Sequence, residues 1–173
     1  MDPERDRPLT EELKQALLAA VRDFFELRVE SAEAPAAAFS ERQIQLAATV
    51  LFVQMIRADL EHRQDEHRAL ERAVERLLGV QADDAALVIR LAEEQVKTSA
   101  AFHEFASVLA RRCAHEQKKK ITENLWRLAY SDAELQGHEE YLVRKTAELL
   151  ELSTADLIET KIAAREAFLR EDL

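Results

Sequence analysis

Only two glycines, three prolines and one cysteine occur in this chain of 173 residues. Ordinary proteins carry roughly 7% Gly and 5% Pro. So small a supply of turn-formers excludes architectures built on many tight turns, such as sandwiches, barrels and propellers. Gly79 and Gly137 stand far apart, so no glycine-rich phosphate loop can be assembled. The single cysteine, Cys113, permits neither an intrachain disulfide nor a thiolate metal cluster. Its helical surroundings suit a small buried apolar residue better than a reactive thiol. Long apolar runs are missing as well. No stretch reaches membrane-spanning length, and the charged start, Met1 to Thr10, lacks the apolar centre of a secretory signal. Positive charge is also in deficit: 24 Lys+Arg against 34 Asp+Glu leave a formal net charge of −10. Phosphate backbones are held chiefly by cationic neutralisation, so no nucleic-acid partner is expected. The one basic cluster, Lys118, Lys119 and Lys120, is flanked by Glu116 and Glu123 and reads as a solvated helix face. These exclusions leave a soluble, cytoplasmic, helical chain.

What is present agrees with an all-α fold. Thr10, followed by Glu11 and Glu12, has the form of a helix N-cap, and Leu13, Leu17, Val21, Phe24 and Phe25 follow at helical spacing. Pro35 and its alanines form the one evident linker. The expected organisation is an N-terminal helix and linker over 1–35, packed on a helical domain over 36–173. Ser40 to Gln43 matches a capping box. Behind it Ile44, Ala47, Ala48, Leu51, Phe52, Met55 and Ile56 form a stripe that stops at Asp59. Leu70, Ala73, Val74, Leu77 and Leu78 form the next, closed by Gly79 as a C′ residue. Asp83 and Asp84 open a helix with Leu87, Val88 and Leu91; another carries Phe102, Phe105, Val108 and Leu109. Leu125, Leu128 and Ala129 then lead to Asp132, and Leu142, Val143, Leu149 and Leu150 follow. Ser153 to Asp156 caps a last helix with Leu157, Ile158, Ile162 and Phe168.

The pattern repeats. Superposing Ala58-Asp59-Leu60-Glu61 on Ser131-Asp132-Ala133-Glu134 also brings Glu66 onto Glu139. After one extra residue in the first copy, Arg76-Leu77-Leu78-Gly79-Val80 falls on Glu148-Leu149-Leu150-Glu151-Leu152. Two related helix–corner–helix halves are therefore expected, about 40–97 and 115–171. Each half stops a buried stripe at an Asp, with a Glu two residues on and another five later. Carboxylates two apart in an irregular corner can turn toward one point, and a third from the next helix's first turn can close the set. Oxygen-only ligation of this kind suits Ca²⁺ or Mg²⁺. Acidic residues at a helix start are equally explained by capping and by the helix dipole. Neither corner is an EF-hand: counting from Asp59 or Asp132, the twelfth position holds Leu70 or Val143 in place of a bidentate Glu.

The two corners, Ala58-Asp59-Leu60-Glu61 through Glu66 and Ser131-Asp132-Ala133-Glu134 through Glu139, resemble those of the TerB-like family of bacterial tellurite-resistance proteins. So do the ends Leu77-Leu78-Gly79-Val80 and Leu149-Leu150-Glu151-Leu152-Ser153, which stand where the family has Leu-Gly-Leu-Ser-like segments. The resemblance runs from about Ser40 to the C-terminus. It implies an all-helical fold of two related halves, a link to chemical-stress responses, and a metal-binding surface formed by Asp59, Glu61, Glu66, Asp132, Glu134 and Glu139. The family's glycine after each corner Asp is replaced here by Leu60 and Ala133, neither of which accepts positive φ cheaply.

Other chemistries fit less well. No Glu-x-x-His occurs, so a ferritin-like di-iron site is not expected, although Asp59, His62 and Glu66 share helical spacing. Cys113 and His115, two apart, diverge on a helix, and Ser40 and Ser153 are caps; no catalytic constellation emerges. The expectation is a non-enzymatic stress-associated or scaffold protein with a divalent-cation site at the corners. The alternative is a helical protein-interaction module without metal, partnered by an unidentified protein or a second copy of itself. Trp126, off its helix's main stripe, could anchor a core or an interface.

Overall fold

A computed structural model of the chain describes residues 41–58, 64–95, 99–131 and 138–171. The expected helix and linker at 1–35 lie outside those residues, as does Ser40 of the first capping box. Seven helices and no strand occur among the described residues: α1 (Glu41–Ala58), α2 (Gln64–Leu78), α3 (Ala82–Gln95), α4 (Ser99–Arg112), α5 (His115–Tyr130), α6 (His138–Leu149) and α7 (Thr154–Glu171). The fold is all-α. Helices α1 and α5 lie against each other; α1 also touches α2, α3, α4 and α6, and α5 also touches α2, α6 and α7.

That central position explains a difference from the sequence pattern. The periodicity marks one stripe on α1, yet Leu46, Thr49, Val50 and Val53 are as buried as Leu51 and Phe52. A helix surrounded by neighbours is buried all round. Polar atoms inside it then need partners. Thr49 donates its hydroxyl to the Gln45 carbonyl at 2.9 Å, and Gln54 donates from Nε2 to the Ala92 carbonyl at 3.2 Å, tying α1 to α3. Helix α2 keeps the clean stripe its sequence shows: Ala69, Leu70, Ala73, Val74, Leu77 and Leu78 are all buried. On α3 the fully buried apolar residues are Ala85, Val88, Ile89 and Ala92; of the sequence stripe Leu87, Val88 and Leu91, Val88 is in the core, while Leu91 is half-buried against it and Leu87 is half-buried.

Helix ends follow from local chemistry. Gly79 takes φ +65°, and the Val80 amide bonds the Glu75 carbonyl at 3.2 Å, a Schellman-type closure. Glu151, the residue aligned with Gly79, does the same at φ 61°, with the Leu152 amide on the Ala147 carbonyl at 3.0 Å. Arg42, at the start of α1, donates to the Leu78 carbonyl at 2.7 Å and so meets one of the last unpaired carbonyls of α2. At α5 the Ala114 amide is taken by the Gln117 side chain at 2.9 Å.

Helix α7 runs parallel to α5, laced by His115 to Asp156, Lys119 to Glu159, and Arg127 to Glu171. Its core-facing side holds Leu157, Thr160 and Ala164. Ile158 and Ile162, grouped with Leu157 and Phe168 in the sequence pattern, turn outward instead, each 54% exposed, with Leu169 at 58%. The basic cluster also departs from a solvated face. Lys118 is buried and donates to the Ala110 carbonyl at 3.2 Å, where its charge complements the negative end of α4.

Candidate functional site

Both acidic corners fall at junctions between consecutive helices, α1 to α2 and α5 to α6. Glu66 lies in the first turn of α2 and Glu139 in the first turn of α6. Each is therefore placed at the start of the helix leaving its corner. Asp59, Glu61, Asp132 and Glu134 lie outside the described residues, as do Leu60 and Ala133 at the family's glycine position. Among the described residues no group of three or more His, Cys, Asp or Glu converges as a metal-sized site.

Around the second corner the flanking residues form a definite network. Helix α5 reaches the corner through Trp126, Tyr130 and Ser131. Trp126 is buried, which places it in the core, and its ring stacks on Tyr130 with centroids 5.8 Å apart and planes 15° apart. Its indole N–H meets no acceptor among the described residues. Lys161 of α7 extends its ammonium over the Trp126 ring, 5.3 Å from the centroid, and places it 2.5 Å from Oε1 of Glu140 in the first turn of α6. Arg144 approaches the same oxygen at 3.6 Å. The Lys161 hydrogen bond holds the Glu140 carboxyl below the usual carboxylate range, with Arg144 adding to the effect. The Lys161 ammonium is raised in turn, chiefly by Glu140 and further by Tyr130. Glu140, next to the candidate ligand Glu139, is thus occupied by cations of this chain.

A second polar junction closes the other side. Arg127 of α5 and Arg76 of α2 both meet Glu171, the latter at 3.7 Å, and the Arg76 guanidinium lies 4.4 Å from the centre of the Phe168 ring. Together with Ala73, Leu77 and Ser131 these residues line a shallow cleft. The C-terminal turn of α7 is thereby pinned between α2 and α5. Ser131 spends its hydroxyl proton on the Leu128 carbonyl at 2.8 Å, closing the end of α5 immediately before the corner.

The remaining chemistry-bearing residues have structural partners. Cys113 is buried, and that burial pushes its thiol up to about 11, with Lys118 working weakly in the opposite sense. A thiol so rarely ionised at neutral pH is a poor nucleophile. His115 places Nε2 3.1 Å from Oδ1 of Asp156, and His67 places Nε2 3.3 Å from Oε1 of Glu71 on its own helix. Sequence reasoning singled out the acids but missed Lys161, because nothing in a helical lysine announces an aromatic ring beneath it or a carboxylate twenty-one residues away in sequence.

Comparison with family models adds one finding. The model described as tellurite resistance protein TerB matches residues 45–162, a span that contains both corners. Comparisons with curated proteins and with solved structures gave no significant match.

Proposed function

The chain belongs to the TerB family of tellurite-resistance proteins, and on that premise we propose a non-enzymatic, cytoplasmic, stress-associated protein that binds a divalent cation at its acidic corners. The ligands would be Asp59, Glu61 and Glu66 at one corner and Asp132, Glu134 and Glu139 at the other. The observation that carries this reading is the placement of the third acid. Glu66 and Glu139 each stand in the first turn of the helix that leaves the corner, where a carboxylate can close a set begun by the preceding Asp and Glu. Carboxylate oxygens favour hard ions, so Ca²⁺ and Mg²⁺ are the first candidates. The family name points to tellurite, but the net charge of −10 disfavours an oxyanion as a direct ligand.

The test is titration of the full chain with Ca²⁺, Mg²⁺, Mn²⁺ and Zn²⁺ while following thermal unfolding. Saturable binding should raise Tm; stabilisation by ligand at a hundred times Kd amounts to about 2.7 kcal/mol. Asp59→Asn together with Asp132→Asn should abolish the rise. Unchanged melting at millimolar concentrations of all four ions would overturn the cation site.

A specific observation favours a second reading, a protein-interaction module. Ile158, Ile162 and Leu169 stand at i, i+4 and i+11 on the outer face of α7 and are all more than half exposed. A row of this kind suits the apolar side of a partner helix. A pull-down performed with and without chelator separates the readings, since only the first makes capture depend on the ion.

A further inference from the structure

The outer row of α7 is longer than its three large side chains. Ala155 is exposed as well, and Ala155, Ile158, Ile162 and Leu169 keep one face of the helix for about 21 Å. Charge is sorted to either side of that row. At 3.6 residues per turn, Arg165 falls on the flank shared with Ile158, whereas Glu159 and Glu166 fall on the opposite flank. All three are exposed. Lys119 holds Glu159 at 2.8 Å, but Glu166 is engaged only loosely, by Arg170 at 3.7 Å. The face is thus apolar along its middle, basic on one margin and acidic on the other.

Such a face is complementary to itself in one orientation. A two-fold axis along the seam between two parallel helices carries each flank onto the opposite flank of the other helix, so cations meet carboxylates. An antiparallel pair brings like flanks together and sets carboxylates against carboxylates. We propose that a second copy of this chain covers the outer face of α7 in a parallel, two-fold dimer. Ala155, Ile158, Ile162 and Leu169 each meet their own equivalents, and Arg165 of each copy meets Glu166 of the other. The row has the spacing of a coiled-coil seam, and a two-fold interface uses one patch twice. The proposal rests on the interaction reading given above and names its partner. One helical row covers less than the ~1,600 Å² of a standard interface, so the dimer is weak and concentration-dependent.

The experiment is sedimentation equilibrium of the full chain from micromolar to millimolar concentration. The average mass should rise reversibly toward twice that of one chain. Ile158→Ser combined with Ile162→Ser should stay monomeric. Arg165→Glu sets carboxylate against carboxylate twice per dimer and should raise Kd about tenfold. Adding Glu166→Arg to it should restore wild-type association. Circular dichroism should match wild type in every variant, since all these positions are exposed. Orientation is read from Ala155→Cys, which oxidation should join to its own equivalent in the other copy; Cys113 is buried and stays out of that reaction. A wild-type chain that is monomeric throughout, an association indifferent to Arg165→Glu, or a charge reversal that fails to restore it would overturn the pairing. So would cross-linking of Ala155→Cys to Leu169→Cys in preference to itself, the mark of an antiparallel pair. Melting judges the underlying reading separately. In a monomeric chain, a large fall in Tm on replacing both isoleucines by serine means that the chain itself covers the row, and both readings fall. An unchanged Tm there removes only the pairing with a second copy.

Discussion

Two residues at one aligned position show how backbone geometry outranks side-chain identity. Gly79 and Glu151 both terminate a helix in the left-handed region, at φ +65° and 61°. Glycine enters that region without penalty, whereas an L side chain loses roughly 1 to 2 kcal/mol there. Glu151→Gly should therefore stabilise the protein, by about 0.5–1 kcal/mol once the greater freedom of glycine in the unfolded chain is subtracted. The reverse change, Gly79→Ala, should destabilise it by about 1 kcal/mol through backbone strain alone. Nothing lies within 4 Å of a Cβ built at Gly79, so no clash adds to that cost. In a chain this size each kcal/mol shifts Tm by about 2–4 °C, which calorimetry resolves. A Glu151→Gly variant that melts lower than wild type would show that the Glu151 side chain contributes more than its strained backbone costs.

Helices are held by their ends, and α7 shows it most fully. The Ser153 hydroxyl accepts the Asp156 amide at 3.1 Å, while the Asp156 carboxylate accepts the Ser153 amide at 3.0 Å and the hydroxyl proton at 2.8 Å. Ser153→Ala should cost about 0.5–2 kcal/mol, the usual range for losing such a cap. The hydrogen bonds from Ser153, and then His115, hold the Asp156 carboxyl below its ordinary value of 3.8. A depressed folded pKa means that the stabilisation is complete above pH 3.8 and disappears as the pH falls through the lower folded value. The Tm gap between wild type and Asp156→Asn should therefore be widest near neutral pH and close below 3.8; a gap independent of pH would contradict the linkage. Glu140 behaves in the same sense below 4.5, whereas the raised Lys161 ammonium loses its contribution only as pH climbs past 10.5. This cap was legible in the sequence because Ser153-Thr154-Ala155-Asp156 is local. So was α2, whose buried face is one stripe. Lys118 was not, since burial of a lysine against the end of α4 depends on a neighbour eight residues away that periodicity does not describe. The corner acids were legible as a pattern; the lysine fastened beside one of them belongs to tertiary contact.

At the scale of the whole molecule, three of the four large apolar side chains exposed among the described residues lie on α7, the fourth being Tyr141 on α6. The inner side of α7 lies on α5 through Leu157, Thr160 and Ala164, and its last turn is pinned by Arg76 and Arg127 through Glu171. Its outer side carries Ile158, Ile162 and Leu169 toward solvent. A periodic pattern reports that residues are apolar and share a helix face, but not which of two faces the rest of the chain covers; that is why Ile158 and Ile162 read as core from sequence. The distinction has a measurable consequence. Buried Leu or Ile cut to small residues costs about 2–5 kcal/mol, whereas surface substitutions away from caps and ion pairs stay within about 0.5 kcal/mol. Ile158→Ser combined with Ile162→Ser should therefore leave Tm within about 2 °C of wild type. Leu125→Ala on α5, fully buried, should lower it severalfold more. If the outer row engages another protein, the double serine variant should lose that capture while keeping both its melting temperature and any response to Ca²⁺. A large fall in Tm from the serine pair alone would mean that the row is covered within the protein itself, and the interaction reading would lose the observation on which it stands.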